Sequence, residues 1–324
     1  IYTPRLSSAA SDVYKRQVAD QPPELAFSWP GHDVQATAIE ERTLRFTATD
    51  DYGIRSMTFY YAVNGGAWES VELPLPGQSP AAPAEQASEH TLYLEELTVA
   101  TPLADAPARP LQAGDMISFY TEARDHTLEA RTSLYFIDVR PFDRSYRESQ
   151  SMAGQSGQGG GGADELVQRQ REIVTATWNL KNRLSRGEGE PGDEDQAEVL
   201  ALLQRTLADQ VTTLIERAAA RRLTLEEGID TFSRELTSAT EDMIPAAEKL
   251  EAQDLEAAVA PAQQALQHLL AAQATVNDVA VSMGVADMRG TTGRSLSELM
   301  DLEMDQERYR YETPQAPTPG GEPA

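Results

Sequence analysis

The sequence predicts a multidomain β + α protein, in which an immunoglobulin- or fibronectin-like β-sandwich is followed by an α-helical bundle or an array of helical hairpins. Up to about residue 140 the apolar residues follow the period of two that is typical of strands. From residue 164 onward they recur at intervals of three and four, as on a helix. A stretch rich in Gly, Ser and Gln, with almost nothing to bury, separates the two patterns. We therefore expect two folded units on either side of a flexible joint that lets them reorient.

The chain of 324 residues divides into five segments on this basis. They are a leader (1–17), the β-sandwich (18–142), the linker (143–163), the helical domain (164–312) and a Pro- and Gly-rich tail that is disordered by composition (313–324). The leader is basic in an otherwise acidic chain and resembles the translated adapter remnant at the ends of metagenome-derived reading frames. We expect it to be a non-native or disordered addition and exclude it from the fold.

Seven runs of β-branched and aromatic residues between turn signals predict the strands of the sandwich. They cover residues 24–29, 43–49, 54–63, 67–73, 90–98, 115–123 and 132–140. The sequence Asn64-Gly65-Gly66 indicates a tight hairpin, because Asn and Gly tolerate the positive φ that such turns require. Pro141 ends the last strand, since proline cannot donate to a ladder.

Two aspartate-containing turns follow strands, one near Asp50 and Asp51 and one near Asp125. In an immunoglobulin-like topology both turns lie at one pole, so these carboxylates could converge there, with Asp33 as a further candidate. Converging carboxylates are candidate calcium ligands. The alternative is that they accept hydrogen bonds from their own turns, with Gly53 supplying an unusual dihedral angle. We favour this alternative, because no spaced D-x-D-x-D calcium loop is present in the sequence.

Helix start and stop signals divide the second half. The first helix begins at Asp164 and ends in a Gly-rich loop at 186–192, and the capping pairs of the later helices are Asp193 with Gln196, Thr224 with Glu227 and Ser295 with Glu298. Pro245 and Pro261 are expected to kink or restart the third helical region, with a break near Ala252.

The apolar stripes of the first two helices are broad and favour a bundle or hairpin array over a strict heptad coiled coil. The first stripe contains Leu166, Ile173, Thr177, Leu180 and Leu184, with Trp178 beside it, and the second contains Val199, Leu200, Leu203, Leu207, Val211, Leu214 and Ile215.

The net charge of −25 is spread over both halves. Residues 18–142 hold 19 acidic and 7 basic side chains, a net charge of −12, and residues 163–312 hold 29 and 15, a net charge of −14. Such a surface repels phosphate, so we expect no nucleic acid as a partner and no attraction to an anionic membrane surface. The chain has no cysteine, which excludes disulfides and thiol chemistry.

The sequence contains no motif that carries recognisable chemistry. The four histidines show no metal-ligand spacing, and neither a G-x-S-x-G motif nor a phosphate-binding glycine loop in the right context is present. We therefore predict that the protein is not an enzyme and has no catalytic, cofactor-binding or resident metal site.

Five segments, taken in order, resemble a bacterial domain-of-unknown-function family, number 4175. They are Thr49 to Ile54 (which includes Asp50, Asp51, Tyr52 and Gly53), the strand starting at Gly114-Asp115, Phe136 to Phe142, Arg169 to Trp178, and Glu303 to Pro314. The resemblance implies an envelope protein that is anchored in the cytoplasmic membrane through an N-terminal transmembrane part missing here, with both halves outside that membrane. Members are similar in setting to proteins encoded beside MoxR-type ATPases, which implies assembly or maturation work in the envelope. The family offers no assigned catalytic residues.

Three functions are consistent with these observations. The leading hypothesis is a non-enzymatic extracytoplasmic module that binds a protein partner, such as an envelope assembly complex, through its helical domain. The second is a structural tether or scaffold in which the helices self-associate. The third is a calcium-dependent adhesion module that uses Asp50, Asp51 and Asp125.

Overall fold

The computed structural model describes residues 20–75, 85–100, 108–141, 161–220 and 227–285. Within these ranges the chain folds as a mixed α + β protein, with strands up to Arg140 and helices from Gly161. The predicted order of a β half followed by a helical half is therefore confirmed. The predicted caps at Thr224 and Ser295, the leader, the tail and most of the linker lie outside the described residues.

The described part of the β half contains eleven strands. They are β1 (Glu24–Trp29), β2 (Val34–Thr37), β3 (Glu41–Thr49), β4 (Ser56–Val63), β5 (Glu69–Glu72), β6 (Gln86–Tyr93), β7 (Thr98–Val99), β8 (Arg109–Pro110), β9 (Met116–Arg124), β10 (Glu129–Arg131) and β11 (Tyr135–Arg140). Each of the seven predicted strands overlaps one of them, and β11 ends directly before Pro141 as expected. The four residues of β2 were not predicted, because so short a run shows no clear alternation.

The strands form two main sheets and a small ribbon. Sheet 1 has the antiparallel order β1-β3-β6. Sheet 2 has the order β2-β11-β9-β4-β5, with β10 paired to β9, and its one parallel pair joins β2 to β11. The ribbon is made of β7 and β8.

A buried apolar core joins sheet 1 to sheet 2. Phe27 and Phe46 of sheet 1 stack at 5.2 Å between ring centroids, and their rings lie 5.3 Å from Phe119 and 5.7 Å from Phe59 of sheet 2, respectively. Such aromatic pairs contribute about 0.5–1.5 kcal/mol beyond the area they bury. Each of the two sheets therefore buries one face in this core, as the predicted alternation of apolar and polar residues along the strands implies.

Strand β9 is buried on both of its faces. Ile117 and Phe119 belong to the core between the two sheets, whereas Met116 and Tyr120 belong to a second core that contains the helices. Since neighbouring residues of a strand point to opposite faces, sheet 2 is a middle layer between sheet 1 and the helices.

The described residues of the second half form four helices. They are α1 (Gly161–Ser185), α2 (Asp193–Ala220), α3 (Glu227–Glu251) and α4 (Leu255–Val285). Along the chain each helix contacts the next, and α4 returns to contact α1. The break near Ala252 is confirmed, since α3 ends at Glu251 and Gln253 has a φ of 58°.

The expected restart of the helices at the two prolines is wrong. Pro245 lies inside α3 and Pro261 inside α4, and both helices continue through them. A proline removes one helical hydrogen bond, a loss that tertiary packing can offset. The neighbouring Ala246 and Ala262 are fully buried, so the packing of α3 and α4 favours continuous helices here.

Trp178 lies at the centre of the contact between the helices and sheet 2. Its ring is 1 % exposed and lies 4.5 Å from the ring of Tyr120 and 5.8 Å from that of Trp68. The indole N–H donates to the main-chain oxygen of Thr132 at 3.1 Å. The sequence placed Trp178 only beside the stripe of α1, whereas it is among the largest fully buried side chains.

Two glycines bring turns of the β half against α4. A Cβ on Gly114 would lie 2.7 Å from the Cα of Ala271, and a Cβ on Gly65 would lie 3.0 Å from the Cβ of Gln263. Both glycines have positive φ, as does Asn64 in the predicted hairpin. Side chains at these two positions would push the turns away from the helix.

The shared core differs from the expectation that the two halves reorient freely. Residues of sheet 2 and of all four helices form one buried cluster. An ion pair between Arg171 of α1 and Asp138 of β11 adds a polar contact at 2.8 Å. Separating the halves would expose this cluster to water, at a cost of about 25 cal/mol for each Å² of apolar surface. The described parts of the two halves therefore form one body.

Candidate functional site

A groove lies between α1 and α2 on the outer side of the helices. We call it the α1/α2 groove. It encloses about 430 Å³ and is lined by Arg169, Glu172, Ile173 and Ala176 of α1 and by Leu200, Leu203, Thr206, Leu207 and Gln210 of α2. Its floor is largely apolar, which is typical of a surface that receives an apolar side chain from another molecule.

Three apolar side chains of α2 are exposed to solvent, and one of them, Leu203, lines the groove. Val199 is 53 %, Leu202 65 % and Leu203 49 % exposed. The sequence placed Val199 and Leu203 in the buried stripe, and that expectation is wrong for both residues. Leu184 of the α1 stripe is likewise 43 % exposed and Ile215 of the α2 stripe is partly buried, whereas the other predicted stripe positions, such as Ile173 and Leu207, are buried.

The exposed leucines follow from how α2 is oriented. Ala201, Gln204 and Ala208 point into the helical core, and the buried Gln204 amide exchanges hydrogen bonds with Gln170 of α1 at 2.8 and 3.2 Å. This polar pair fixes the rotation of α2 about its axis, because breaking it would leave buried amide groups without partners. With that rotation fixed, Leu202 points to solvent.

Polar contacts join α1 to α2 at the groove and beyond it. Within the groove Arg169 donates to Glu165 at 2.6 Å and to Gln210 of α2 at 2.9 Å. Beyond the groove Arg183 of α1 pairs with Asp193 at the start of α2. Asp193 also accepts the main-chain N–H of Glu190 at 2.8 Å, and this bond, together with Arg183, holds the pKa of Asp193 below its ordinary value of 3.8. These contacts link α1 to α2 at Gln210 within the groove and at the start of α2.

The loop pole predicted from sequence does form. The main-chain N–H of Arg55 donates to the oxygen of Arg124 at 2.7 Å, which places the turn after β3 beside the turn after β9. Asp50 and Asp125 are 5 % and 4 % exposed, whereas Asp51 is exposed. Asp50 and Asp125 therefore come close together in the interior of the pole.

Both buried carboxylates accept hydrogen bonds from their own turns. Oδ2 of Asp50 accepts the N–H of Tyr52 at 2.8 Å, and Oδ1 of Asp125 accepts the N–H of Leu128 at 2.7 Å. Burial raises the pKa of Asp50, and the neighbouring charge of Asp125 adds to the shift, while the N–H groups of Tyr52 and Gly53 oppose it. Among the residues that the structure describes, Oδ1 of Asp50 and Oδ2 of Asp125 have no hydrogen-bond partner. The arrangement agrees with the turn-forming interpretation of these residues.

The structure separates the remaining predicted pole residues. Tyr52 is 57 % exposed, and Gly53 has a φ of 94°, as a turn glycine can. Asp33 does not join the pole. It accepts the N–H of Phe136 at 3.0 Å and pairs with Arg171 at 2.7 Å, so it belongs to the contact between sheet 2 and α1.

A cleft of about 760 Å³ lies between the loop pole and the end of α1. Its lining contains three arginines, of which Arg124 pairs with Glu122 and Glu129, and Arg186 pairs with Glu188. Asp125, Glu129 and Glu188 line the same cleft, so its charges balance. Because the charges of the cleft are paired, they do not create a strong electrostatic potential that would attract a charged ligand. The α1/α2 groove is therefore the stronger candidate for a binding site.

His268 of α4 bridges to α3. Its Nδ1 lies 2.8 Å from Oε2 of Glu235, and its Nε2 lies 3.6 Å from Oδ2 of Asp242. Burial raises the pKa of Asp242, and His268 opposes that shift. Because the two carboxylates approach opposite nitrogens of one ring, the three groups link the helices and do not surround a common ligand.

Over the described ranges, no group of three or more His, Cys, Asp or Glu side chains is arranged to hold a metal ion. Within the same ranges, no helix combines the length and the apolar character needed to cross a membrane. Sequence comparison finds no protein-family model and no curated protein that matches the chain.

Proposed function

We propose that the protein is a non-enzymatic protein-protein interaction module of the bacterial envelope, which binds its partner through the α1/α2 groove. The observation that carries this proposal is the apolar floor of the groove, with the half-exposed Leu203 in its lining and Leu202 exposed on the next residue of α2. Neighbouring exposed apolar side chains next to an apolar groove are typical of surfaces that become buried in a complex. Burying one such side chain contributes about 1.5–3 kcal/mol.

In this proposal the β half is an immunoglobulin-like sandwich and the helices form a four-helix bundle that rests on it. The face-to-face cores of the two sheets and the closed contact order of α1 to α4 support these assignments. The β half then acts as a rigid support, since sheet 2 holds Trp178 of the helix that forms one wall of the groove.

The resemblance to family 4175 supports a location outside the cytoplasmic membrane of a bacterium. The motif residues fit structural roles, since Asp50 shapes a turn and Trp178 joins the two halves. The envelope setting is the part of the proposal that rests on the resemblance alone.

The experiment is an affinity capture from bacterial envelope extract with the full chain as bait. The full chain is required, because the two halves share one core and an isolated half would expose it. Three baits are compared: the native chain, the groove variant Leu202→Gln/Leu203→Gln, and a control variant, Ile39→Gln/Ile244→Gln, which alters two apolar side chains that are 61 % and 52 % exposed outside the groove. Equal thermal stability of the three baits is checked first.

We expect a specific protein to be enriched by the native chain and by the control variant and to be lost with the groove variant. Equal enrichment by all three baits would reject the groove as the binding surface. A structural tether is the competing function, and it requires self-association. A monomer mass by light scattering that stays constant with concentration would exclude it.

A further inference from the structure

The outer face of α2 carries a row of carboxylates beside its exposed leucines. At 100° per residue, Asp195, Glu198 and Asp209 lie within about 40° of Leu202 around the helix axis. All three are exposed. We call these three residues the acidic rim. Of the α2 residues that line the α1/α2 groove, Thr206 is the nearest to these carboxylates around the helix axis, so the negative charge lies on the solvent-facing side of α2 next to that wall of the groove.

The carboxylates of the acidic rim have no ion-pair or hydrogen-bond partner in the part of the chain that the structure describes. The neighbouring Arg205 does not neutralise them, because it pairs with Glu251 of α3 at 2.6 Å. Over its whole length α2 holds six acidic and two basic residues, a net charge of −4. An occupant of the groove meets this uncompensated charge next to the apolar contact.

This charge decides between possible occupants. A second copy of the chain would bring the same three carboxylates against each other, and like charges across an interface cost several kcal/mol. Residues 295–312 of the chain itself hold six acidic and two basic side chains, so they too would be repelled. An anionic membrane surface is repelled for the same reason. A cationic partner, in contrast, would be attracted by the acidic rim and would also bury the exposed leucines.

The shape of the site indicates a helix as the occupant. On α2 the lining of the groove runs from Leu200 to Gln210, 11 residues, which is about 16 Å of helix. A helix lying along this length would place one apolar side chain in the groove on each turn and its flanking side chains on the rim. A helix of about 15 residues suffices.

We infer that the α1/α2 groove binds a basic amphipathic α-helix of another protein, whose apolar face covers Leu202 and Leu203 and whose Lys or Arg side chains pair with the acidic rim. This inference rests on the proposed function and specifies the chemistry of the partner. The rim also raises the association rate with such a partner by electrostatic steering.

The test uses three labelled peptides of about 16 residues, each with leucines on one helical face and a second residue type on the other: lysine, glutamine or glutamate. Binding to the full chain is measured by fluorescence anisotropy at about 150 mM salt, where nonspecific charge effects are screened. We expect the lysine peptide to bind at least about tenfold more tightly than the glutamine peptide, and the glutamate peptide to bind most weakly.

Two variants assign the binding to the groove and to the rim. Leu202→Gln/Leu203→Gln removes the apolar contact without changing the charge, and we expect it to weaken the lysine peptide at least about tenfold, while Ile39→Gln/Ile244→Gln leaves its binding unchanged. The charge reversal Asp195→Lys/Glu198→Lys/Asp209→Lys should make the glutamate peptide the preferred one.

The outcomes separate this inference from the proposed function. If the lysine and glutamine peptides bind equally and both lose affinity in the leucine variant, the groove is a docking site but its partner is not selected by charge, and the inference fails alone. If the leucine variant binds the lysine peptide like the native chain, the inference also fails. The capture experiment with envelope extract then judges the proposed function independently.

Discussion

Trp178 of α1 donates its indole N–H to the main-chain oxygen of Thr132, which lies between β10 and β11, at 3.1 Å. The same indole contacts the ring of Tyr120 in sheet 2 and that of Trp68, which directly precedes β5. One side chain therefore serves both as a core residue and as a polar link between helices and sheet. Because its removal affects both sides of the contact, the helices and the β half should lose stability together.

We expect Trp178→Ala to lower the free energy of unfolding by about 3–5 kcal/mol, the usual cost of removing a large buried aromatic side chain. Trp178→Phe should cost about 1–3 kcal/mol, because it leaves the oxygen of Thr132 buried without its donor. Urea unfolding followed by circular dichroism measures both. The control Trp29→Phe alters a side chain that is 61 % exposed and should change stability by less than about 0.5 kcal/mol.

Hydrogen exchange distinguishes a shared core from two independent halves. In Trp178→Phe, amides of β9 and of α1 should both exchange faster than in the native chain, since both elements contribute to the cluster around Trp178. Faster exchange in α1 alone would contradict the view that the two halves form one body.

Replacing Gly114 by alanine should destabilise the protein more than its backbone conformation alone explains. The new Cβ would lie 2.7 Å from the Cα of Ala271, which belongs to the backbone of α4 and cannot move aside cheaply. We expect a loss of about 2–4 kcal/mol, combining the strain at positive φ with overpacking. The matched control is Gly53→Ala, which has a similar φ of 94° and no atom within 4 Å, so it should cost only about 1–2 kcal/mol. Equal losses in thermal unfolding would mean that the approach of this turn to α4 does not contribute to stability.

Much of the fold could be predicted from the sequence, because its determinants are local. Apolar and polar residues alternate along β3, Pro141 and the Gly-rich loop at 186–192 end their elements, and Asn64-Gly65 favours positive φ. The relation between the halves could not be predicted. The sequence of β9, which is buried on both faces, predicts a strand. It does not indicate that the second face of this strand contacts helices.

The sequence does indicate that an apolar side chain of α2 is exposed, although the helical periodicity alone does not show it. Val199 to Leu203 are five consecutive apolar residues, which cover more than a full helical turn, so at least one of them must leave the core. Which one is exposed depends on the buried pair Gln170 and Gln204, whose contact spans 34 residues of sequence. Such a pairing of two distant polar side chains cannot be read from a single sequence.

Arg171 should be the most sensitive charged residue of the contact between α1 and sheet 2. Its guanidinium is 12 % exposed, pairs with Asp33 at 2.7 Å and Asp138 at 2.8 Å, and lies 5.1 Å from the ring centroid of Phe136. Arg171→Met leaves two carboxylates without their cation, and we expect a loss of about 3 kcal/mol in urea unfolding. That value is at the lower end of the range for buried pairs, because the Asp33 side chain is one third exposed and partly solvated.

The loss of stability in Arg171→Met should arise because Asp33 and Asp138 keep their negative charges without a cation, and not because the arginine side chain itself is removed. Adding Asp33→Asn and Asp138→Asn to Arg171→Met should therefore recover most of the loss, since an asparagine at residue 33 can still accept the N–H of Phe136. The exposed pair Arg45 and Glu89 provides the control, and Arg45→Met should cost less than about 0.5 kcal/mol. A triple variant less stable than Arg171→Met would show that the carboxylates have another role.

Millimolar calcium should leave the melting temperature of the native chain unchanged. The carboxylates of Asp50 and Asp125 already accept hydrogen bonds from their own turns, so we expect them not to bind calcium. If calcium did bind the folded state alone, it would raise the melting temperature. At neutral pH Asp50→Asn should not destabilise the protein, because it keeps an acceptor for Tyr52 and removes a charge that burial and Asp125 disfavour. Asp50→Ala, which loses the acceptor, should cost about 1 kcal/mol. A calcium-dependent rise in the melting temperature that Asp50→Asn abolishes would instead assign a cation to this pole.

The link between α1 and α2 should weaken in acid. The N–H of Glu190 and the guanidinium of Arg183 hold the pKa of Asp193 below its ordinary value of 3.8, so the unfolded chain takes up this proton at a higher pH than the folded chain does. The stability that the carboxylate contributes is therefore fully present above about pH 4 and is lost as the pH falls through the lowered pKa of the folded state.

Asp193→Asn should remove this pH dependence while keeping the fold. The asparagine still accepts the N–H of Glu190, but it carries no charge for Arg183. The difference in melting temperature between the native chain and Asp193→Asn should be positive at about pH 6 and shrink as the pH is lowered below about 4, measured by circular dichroism. Arg183→Met should reproduce part of this pattern, and combining it with Asp193→Asn should cost less than the sum of the two single changes, because they break the same ion pair. A difference that stays constant over this pH range would show that the carboxylate of Asp193 does not link α1 to α2 through its charge.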